Sequence, residues 1–532
     1  MTRRNGRWRH AALATAPISL LALLAVLFST PSPSAAAPDD TTWAAPVKLS
    51  AGLPDGWWPE LAVDHRGVVH AVWHGSFPDR STYVSGLFYS QKTAAGWSTP
   101  TDVALISAGG GAPALRASIA IDAADRVHLI RRGIGRIDPQ NVLEEYLWHT
   151  ATAPVDPNKV TSWDPPVRIS RGITGNTYYS IIGFDSTGKA YVLWTEDDGS
   201  GKGKWSIYAR TSVDGGRTWS QHSILDTDNP VWWYRFQFVI DGKDRLHAAW
   251  EIADPDTFGV STGFVYATSE DGAKSWTRVS FDQQTEASVG GSKPQQPAIG
   301  VDGSGNVLLV YREQESDKIV YRKSSDGTTW SQPEPLPGVR AGVRRPYDQY
   351  GMATDSAGRV HLIVVAYRDN SDRMELLHLR WDGTKWEEPD AIGNAPDFPE
   401  YPRIAIGRGN ELHVVWFAGD RPTVDRVPTG VWYSSRRTDA PVIPDRPATV
   451  LAQATPVRVA TTVGAKPTAP DPASSQIARV TPVGGTTADQ TPPPSGLREQ
   501  PLFAVLVGVT PVLLLVAFVS IAKLTRAQGL NR

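Results

Sequence analysis

Arginines, tyrosines and carboxylates recur at corresponding points along the chain, and these side chains are the best suited to chemistry. Guanidinium groups bind carboxylates in bidentate fashion, and aromatic faces offer stacking surfaces for rings. In combination they favour an anionic or polyhydroxylated ligand. They lie just before or just after pairs of segments in which apolar and polar residues alternate. The preceding residues include Trp57, Trp58, Glu60, Arg116, Ser118, Tyr178, Tyr179, Trp232, Trp233, Tyr234, Arg235, Gln237, Gln295, Gln296, Tyr347, Asp348, Gln349, Tyr350, Glu400, Tyr401 and Arg403, and the following ones are His74, Arg132, Glu196, Glu251, Arg312, Glu313, Arg368, Asp369 and Asp420.

The segments that must position these residues form a repeat. One copy, Pro297–Tyr311, reads as an alternating strand, a tight turn with Asp and Gly, and a second alternating strand. In a propeller, the start of the first strand and the end of the second strand of each hairpin lie on one face. The hairpin turns lie on the opposite face. We therefore expect the ligand site on the face away from the turns. Copies of the turn occur at Asp64, Asp122, Asp185, Asp241, Asp302, Asp355 and Gly407.

A histidine often follows the turn residue by six positions. Successive copies lie one repeat apart, so these side chains are too distant from one another to share a metal. We interpret them as structural repeat positions and predict no metal site. The residues at this position are His70, His128, Tyr191, His247, Leu308, His361 and His413.

A second motif follows several hairpins. Ser212–Trp219 matches the pattern S-x-D-x-G-x-T-W, the Asp box, at every position, and Ser269–Trp276 and Ser324–Trp330 are weaker copies. Trp381–Trp386 and Ala95–Trp97 keep only the turn and the tryptophan. The Asp carboxylate accepts backbone N–H bonds, Gly permits a positive φ, and Trp fills the gap between strands. We therefore predict a structural role for these aspartates.

The number of tryptophans predicts the architecture. Six of them begin outer strands, and the seventh hairpin, near Gly407, lacks such a strand. The missing strand lies at the start, because Trp43–Ser50 resembles Trp163–Ser170. The prediction is an all-β, seven-bladed β-propeller of four-stranded antiparallel blades over residues 41–437, closed by the N-terminal strand. The six tryptophans are Trp97, Trp163, Trp219, Trp276, Trp330 and Trp386.

Both ends of the chain are typical of targeting segments. Residues 1–36 combine early arginines, an apolar run and Ser34-Ala35-Ala36, which predicts a cleaved signal peptide, with an uncleaved anchor as the alternative. Residues 438–500 are rich in Pro, Thr and Ala and predict a disordered stalk. Residues 501–522 predict a transmembrane helix, and 523–532 a short cytoplasmic tail. The protein is thus expected at the cell membrane, single-pass, with the propeller outside.

Composition excludes several classes of function. The chain has no cysteine, which rules out disulfides, thiolate metal sites and cysteine nucleophiles. A net charge of −2 without a basic stripe gives no indication of nucleic-acid binding. The acidic run Glu196-Asp197-Asp198 is interpreted as a solvated loop in preference to a calcium site. We expect a monomer without a cofactor.

The Asp boxes on strand–turn–strand units resemble the sialidase superfamily, also called BNR-repeat proteins, from about Trp43 to Ser435. The resemblance implies arginines that hold a substrate carboxylate, a Tyr–Glu pair that supplies the nucleophile, and an Asp as acid/base. Two features depart from the family: its members typically have six blades, and its Phe/Tyr-Arg-Ile-Pro signature is missing. The nearest equivalent is Tyr401-Pro402-Arg403-Ile404.

The first hypothesis is therefore an exo-glycosidase on acidic sugars, with a Tyr–carboxylate couple beside the scissile bond. Candidate catalytic residues are Tyr350 with Glu251 or Glu313, and Asp348 as acid/base. Candidate substrate-binding residues are Arg235, Arg312 and Arg403, then Arg116 and Arg132, with the aromatic side chains Trp58, Trp232, Trp233 and Tyr401.

The alternative is a non-catalytic surface module that binds glycan or protein. Its basis is the incomplete Asp boxes, the seven blades and the layout of stalk and anchor. Residues 231–235, which are rich in aromatic side chains, would then form a binding platform. In both hypotheses the partner is a glycan or glycoconjugate, or for the module also a protein. A purely structural surface protein is a third, weaker alternative.

Overall fold

A computed structural model of the protein describes residues 42–78, 83–107, 116–136, 143–152, 163–170, 177–197, 205–226, 231–253, 261–282, 294–313, 316–341, 350–421 and 427–444. All of these belong to the first of two compact units, Met1–Ala454. The predicted signal peptide, transmembrane helix and tail, and the predicted stalk beyond residue 444, lie outside the described residues. Within the described part, no helix has the length and apolar character needed to cross a membrane.

Seven antiparallel sheets make up the described structure, and each is one blade of a propeller. The predicted seven-bladed, all-β architecture is confirmed. In chain order the strands begin with β1 (Val47–Lys48), which belongs to the last blade. Blade 1 has β2 (Trp57–Val63), β3 (Val69–Ser76), β4 (Tyr83–Thr93), β5 (Gly96–Trp97) and β6 (Thr101–Ser107); blade 2 has β7 (Ser118–Ile121), β8 (Val127–Arg136), β9 (Leu143–Ala151) and β10 (Val167–Arg168); blade 3 has β11 (Thr177–Phe184), β12 (Ala190–Asp197), β13 (Trp205–Ser212) and β14 (Ser223–Asp226).

The remaining four blades follow the same order from the channel outward. Blade 6 has an additional short strand, Val339–Arg340, which pairs with the far end of the strand Val360–Arg368. Blade 4 has β15 (Val231–Ile240), β16 (Leu246–Ala253), β17 (Ser261–Ser269) and β18 (Thr277–Asp282); blade 5 has β19 (Pro294–Val301), β20 (Val307–Glu313), β21 (Ile319–Ser324) and β22 (Glu334–Pro335); blade 6 has β23 (Val339–Arg340), β24 (Tyr350–Thr354), β25 (Val360–Arg368), β26 (Met374–Trp381) and β27 (Asp390–Ala391); blade 7 has β28 (Pro399–Gly407), β29 (Glu411–Gly419) and β30 (Pro428–Arg437).

The turn between the first two strands of a blade is held by its aspartate. In blade 1, Asp64 Oδ1 accepts the N–H groups of Arg66 at 3.0 Å and of Val68 at 2.8 Å. Gly67 adopts a φ of 81°, which is favourable only for glycine. The corresponding aspartates of blades 2 to 6 make the same pair of bonds. This face of the propeller is called the hairpin face below.

The recurring histidines are structural, as the repeat predicted. His247 Nδ1 lies 2.7 Å from the Tyr266 hydroxyl, and its Nε2 lies 3.3 Å from Asp241 of its own hairpin. His128 contacts His149 and Asp122 in the same way, at 3.0 Å each. Among the described residues, no group of three or more His, Asp or Glu side chains is placed to hold a metal ion. His128 and His247 therefore join the hairpin turn of a blade to its second and third strands.

The Asp boxes also have the predicted structural chemistry. Asp214 accepts the Thr218 N–H at 2.9 Å and the Thr218 hydroxyl at 2.5 Å, while Ser212 donates to the same carboxylate at 2.8 Å. The box tryptophan reaches farther than the sequence suggested. Trp219 packs edge-on against His149 of the preceding blade, with ring centroids 5.2 Å apart. The box thus ties one blade to the next.

The ring closes through the first described residues. Strand β1 pairs antiparallel with β30, with Val47 opposite Tyr433 and Lys48 opposite Trp432. The Ala44 N–H donates to the Ser435 carbonyl at 2.9 Å, which extends the pairing beyond the strand. The predicted closure by the Trp43 segment is confirmed. Blade 7 therefore gains its outer edge from the opposite end of the chain.

The core lies between neighbouring blades. Trp73, Trp194, Trp250 and Trp416, each on the second strand of a blade, are almost fully buried. One apolar cluster joins blades 5 and 6 and includes Leu336. Burial of such aromatic side chains is the main source of cohesion in a chain without disulfides.

After β30 the chain continues along the hairpin face. The Thr438 N–H donates to the Asn410 carbonyl at 2.9 Å, and the Ile443 N–H donates to the Arg408 carbonyl at 2.7 Å. The Ser356 hydroxyl of blade 6 also donates to the Pro441 carbonyl. The segment up to residue 444 is therefore attached at the turns, at the end of the channel remote from the starts of the inner strands.

Candidate functional site at the channel mouth

The inner strands share an irregularity near their first residues. The register shifts between Trp57 and Glu60 in blade 1, and between Glu400 and Arg403 in blade 7. Similar shifts occur in blades 3, 4 and 5. Such bulges bend a strand and redirect a side chain. The inner strands therefore leave regular pairing at the face opposite the hairpins, where the sequence predicted the site.

Four described residues at the same repeat position have left-handed backbone conformations. Each lies six residues before the hairpin turn residue of its blade. A positive φ costs a non-glycine residue about 1–2 kcal/mol, and such outliers concentrate at functional sites. The φ angles are 44° at Trp58, 53° at Arg116, 57° at Gln296 and 54° at Tyr401.

Side chains from four blades meet at this face, and we call them the mouth cluster. Blade 7 contributes two residues, blade 1 two, and blades 2 and 3 one each. Most of the cluster is buried, and the exposed parts belong to Arg403 and Glu60, whose side chains are 12% and 17% exposed. The mouth cluster comprises Trp58, Glu60, Arg116, Tyr179, Tyr401 and Arg403.

Hydrogen bonds connect the mouth cluster across the channel. Glu60 Oε1 accepts the Tyr401 hydroxyl at 2.8 Å and Arg403 Nε at 2.9 Å. Arg403 Nη2 donates to the Tyr179 hydroxyl at 3.1 Å, and the hydroxyls of Tyr179 and Tyr401 lie 3.3 Å apart. Since Tyr179 is in blade 3 and Arg403 in blade 7, this network spans the inner strands of blades 1 and 2.

Two guanidinium groups lie against the aromatic rings. Arg403 Cζ is 3.6 Å from the Tyr401 ring centroid. Arg116 Cζ lies 5.0, 5.6 and 5.7 Å from the centroids of Trp58, Tyr179 and Tyr401. At these distances the cations interact favourably with the rings. Burial raises the pKa of Tyr401 well above its usual value; Glu60 and Tyr179 add to this, and the two arginines oppose it. Tyr401 is therefore a neutral phenol.

The structure brings together four of the predicted binding residues: Arg116, Arg403, Tyr401 and Trp58. Two members were recognised only as leading positions, although the repeat register contains the signal for them. Tyr179 has the same offset from its hairpin as Tyr401, and Glu60 has the same offset as Arg403. The sequence predicted Glu251 or Glu313 as the partner of Tyr350, and that pairing stays a prediction; the structure places Glu60 beside Tyr401.

The other described candidates belong to blades 2, 4, 5 and 6. Arg132 and Arg312 are each 7% exposed; Arg132 lies in the middle of β8 and Arg312 near the end of β20. Glu251 is fully buried and accepts the Gln296 N–H at 2.5 Å, which links blade 4 to blade 5. Glu313 accepts the Ser316 hydroxyl at 2.8 Å. Tyr350 packs in the apolar cluster between blades 5 and 6.

The side chains of four further candidates lie outside the described part of the structure. The backbone of Trp232, Trp233 and Arg235 lies in β15 near its bulge, but their side chains are outside the described part of the structure. Asp348 is outside the described residues altogether. Their roles stay predictions.

A cavity of about 900 Å³ lies at the hairpin face of blades 4 to 6. Its lining includes the turn aspartates Asp241, Asp302 and Asp355. These carboxylates already accept backbone N–H groups within their own turns. The chemistry of this cavity is therefore mainly that of turn backbone, and the convergent ionic and aromatic groups are at the mouth cluster.

Among solved structures, the chain is similar in fold to several propeller proteins. Polysaccharide lyase Uly1 is 11% identical, with a TM-score of 0.49, and the alignment covers 77% of this chain and 94% of that one. The NanB sialidase from Streptococcus pneumoniae is 15% identical, with a TM-score of 0.39 and coverages of 73% and 69%. A Dyadobacter fermentans protein of unknown function is 11% identical, with a TM-score of 0.44 and coverages of 76% and 100%. These values carry no argument about activity.

Sequence comparison is more specific. No curated protein matches the chain. Residues 152–414, from the end of β9 to the middle of β29, match a family model described as a BNR repeat-like domain. The matched span contains the Asp boxes at Ser212, Ser269 and Ser324. Over residues 152–414 the chain is therefore similar to BNR-repeat proteins, as the sequence predicted, and its seven sheets form a β-propeller.

Proposed function

We propose that the mouth cluster binds glycans that carry an anionic group. The observation that carries the proposal is the position of Arg403, which is held between Glu60 and Tyr179 while part of its side chain stays exposed. A guanidinium held in this way, with Nη1 also donating to the Pro402 carbonyl at 3.1 Å, is already ordered for pairing with a ligand carboxylate. The guanidinium of Arg116 adds a second positive charge to the mouth cluster.

The aromatic side chains support the same ligand class. Trp58 and Tyr401 lie beside the two arginines, and sugar rings present C–H faces that pack on such surfaces. Glu60 offsets only part of the positive charge, because the cluster has two arginines and one carboxylate. Glu60 can also accept hydrogen bonds from sugar hydroxyls, which favours a ligand with both an acidic group and hydroxyls.

The binding test uses the full-length protein and a panel of sialylated, uronic-acid-containing and neutral oligosaccharides. Arg403→Ala is expected to weaken binding of the acidic ligands at least about tenfold, since a charged hydrogen bond contributes roughly 1.5–3 kcal/mol. The matched control is Arg437→Ala, because Arg437 pairs with Glu411 on the hairpin face and should leave binding unchanged. Equal effects of the two changes, or binding to none of the glycans, would refute the proposal.

Hydrolysis is the second candidate, favoured by the Tyr401–Glu60 hydrogen bond. The resemblance to sialidases implies a Tyr–Glu couple, and this pair would fill that role in place of Tyr350 with Glu251 or Glu313. Tyr401 would attack the anomeric carbon as Glu60 takes its phenolic proton, and the glycosidic C–O bond would break while the predicted acid Asp348 protonates the leaving oxygen. Water would then release the sugar from Tyr401, and the guanidiniums would bind the carboxylate of the substrate. Tyr401 is fully buried, so hydrolysis requires its neighbours to move, whereas binding at Arg403 does not.

Turnover can be tested with fluorogenic sialosides and other exo-glycoside substrates. If the couple is catalytic, Tyr401→Phe abolishes turnover while acidic glycans still bind. Absence of turnover by the unaltered protein on every substrate, together with retained binding, would leave the non-catalytic module as the function.

The sequence further supports placement of the propeller outside the cell. Protease digestion of intact cells would test this placement, since an external propeller would be lost.

A further inference from the structure

One face of blade 2 has two arginines and two aromatic rings at neighbouring positions. Trp148 of β9 lies opposite Arg131 of β8 on one side and opposite Arg168 of β10 on the other. Two residues farther along β8, Gly133 lies opposite Tyr146. Side chains alternate between the two faces of a sheet, so all five positions share one face. We call these five residues the blade 2 patch.

Arg131 is a cation without a counter-ion. The described residues make no hydrogen bond or ion pair with its half-buried side chain. Burial lowers the pKa of Arg131, and no carboxylate opposes this shift. By contrast, Arg126 on the hairpin face of the same blade pairs with Asp164 at 2.6 Å. Because a charge removed from water without a partner is unfavourable, a bound anion at Arg131 would offset that cost.

Gly133 provides the space that the guanidinium of Arg131 occupies. A Cβ on Gly133 would lie 2.7 Å from Arg131 Nη1 and 3.2 Å from Trp148 Cδ1. The Trp148 indole N–H donates to the Gly133 carbonyl at 3.4 Å, which orients the ring. The guanidinium and the indole therefore lie side by side over the glycine, and the indole is half-buried.

Tyr146 positions the second arginine of the patch. The Tyr146 side chain is almost fully buried, and Arg168 Cζ lies 5.2 Å from the centroid of its ring. A cation at this distance from an aromatic face is attracted to it. Arg168 itself is exposed, so its N–H groups can reach a ligand. The patch thus presents two guanidinium groups beside one accessible aromatic ring, and none of its five residues is acidic.

The blade 2 patch lies at the same end of the propeller as the mouth cluster. Arg116 of the mouth cluster precedes Ser118 by two residues, and Ser118 lies opposite Ile130, the neighbour of Arg131. Adjacent strands are about 4.8 Å apart, so Arg116 and Arg131 occupy nearby positions on adjacent strands.

The patch is also turned toward blade 1, which contributes two residues to the mouth cluster. Leu129 shares the face of Arg131, and it belongs to the same apolar cluster as Leu87 of blade 1. A chain of sugars that begins at the mouth cluster can therefore continue outward along the boundary between blades 1 and 2.

We propose that the blade 2 patch binds a second anionic sugar of a glycan whose first anionic sugar lies at the mouth cluster. The inference rests on the proposed function of the mouth cluster and narrows its ligand to acidic oligosaccharides and polysaccharides. Arg131 and Arg168 pair with the carboxylate or sulfate group, and the Trp148 ring between them packs on the sugar. A sugar with a single acidic group engages the mouth cluster alone.

Isothermal titration calorimetry on the full-length protein tests the proposal with galacturonic acid and tetragalacturonate. The tetramer should bind at least about tenfold more tightly than the monosaccharide, since it alone gains the contacts with the patch. Arg131→Ala should remove this gain and leave binding of the monosaccharide unchanged. Arg126→Ala is the matched control from the same blade and should affect neither ligand.

A second variant separates the position of the guanidinium from its charge. Gly133→Ala keeps every charge but crowds Arg131 and Trp148, so it should weaken binding of the tetramer and not of the monosaccharide. The sulfated pair, galactose 4-sulfate and a carrageenan tetrasaccharide that is anionic only through sulfate groups, identifies the preferred anion. A gain for either tetramer that is lost in Arg131→Ala supports the proposal.

The variant Arg403→Ala distinguishes the two levels of the argument, because it should weaken binding of monosaccharide and tetramer alike. Monosaccharide binding that depends on Arg403, combined with no gain for either tetramer, would overturn the role of the blade 2 patch and retain that of the mouth cluster. Equal effects of Arg131→Ala and Arg126→Ala on the tetramers would do the same. Binding that is insensitive to Arg403→Ala, or no binding of any of the four ligands, would overturn both.

Discussion

At the scale of single residues, the mouth cluster combines predictable and unpredictable features. The repeat register located Arg116, Arg403 and Tyr401 because each lies at a fixed offset from a hairpin turn. The contact between Arg403 and Tyr179 joins residues 224 positions apart and depends on the curvature of the whole ring. The left-handed φ angles oppose local preference, so no pattern of residue types indicates them. Sequence therefore predicted the neighbourhood, and tertiary packing determined the partners.

A buried histidine beside the mouth cluster makes stability depend on pH. His74 stacks on Trp58, and burial lowers its pKa from 6.5 to about 4, although the charge of Asp55 opposes this shift. The unfolded chain therefore binds a proton between pH 6.5 and 4 that the folded chain does not. Above about pH 6.5 His74 does not reduce the free energy of unfolding. As the pH falls to 4, protonation of His74 in the unfolded chain lowers that free energy by about 3 kcal/mol.

Chemical denaturation at pH 7 and pH 4 measures this effect. His74→Phe keeps an aromatic ring beside Trp58 without a titrating group, and it should reduce the loss of stability between the two pH values by about 3 kcal/mol. The exposed His222 provides the control, since His222→Phe should leave the pH dependence as it is. An unchanged pH dependence in His74→Phe would mean that His74 is protonated in the folded protein.

At the scale of elements, the Asp box works as a connector between blades. The sequence predicted its internal bonds correctly, because the positions of Ser, Asp, Gly and Thr specify a local turn. It did not predict that Trp219 and Gly216 press on His149, since this contact belongs to the neighbouring blade. Local chemistry is encoded in a few adjacent residues, whereas the contact between blades depends on how closely two sheets pack.

Two glycines with the same backbone conformation separate these contributions. Gly216 and Gly188 both have a φ of 82°, but a Cβ on Gly216 would meet His149, and one on Gly188 would meet nothing within 4 Å. Gly188→Ala should cost about 1–2 kcal/mol from the left-handed backbone alone. Gly216→Ala should cost a further 1–3 kcal/mol because it overpacks the contact between blades. Urea denaturation compares the two; equal losses would contradict the role of the box as a connector.

At the scale of the whole molecule, closure depends on a very short strand. The seven hairpins and the unmatched tryptophan allowed both the blade number and the closing segment to be predicted from sequence. Of the two residues of β1, Val47 is exposed and Lys48 is half-buried, yet they cover the edge of β30, and Leu49 beyond them is 4% exposed. An uncovered edge of this length is prone to pair with another chain.

Deletion of residues 42–50 should therefore lower the melting temperature and produce dimers or larger species through the free edge of β30. Light scattering after size-exclusion chromatography, combined with thermal denaturation, gives both quantities. Val47→Ala serves as the control, since Val47 is 46% exposed and its truncation should cost less than about 0.5 kcal/mol. A deleted protein that stays monomeric and melts at the same temperature would show that blade 7 needs no outer strand.

The attachment of residues 438–444 to the hairpin turns also fixes how the propeller can be held. Pro444 is the last described residue, and it leaves from the end of the channel opposite the mouth cluster. A tether through the chain beyond Pro444 would therefore start from the hairpin face of the propeller. The mouth cluster lies on the other face of the propeller, so a long polymer could reach Arg403 without passing the hairpin turns.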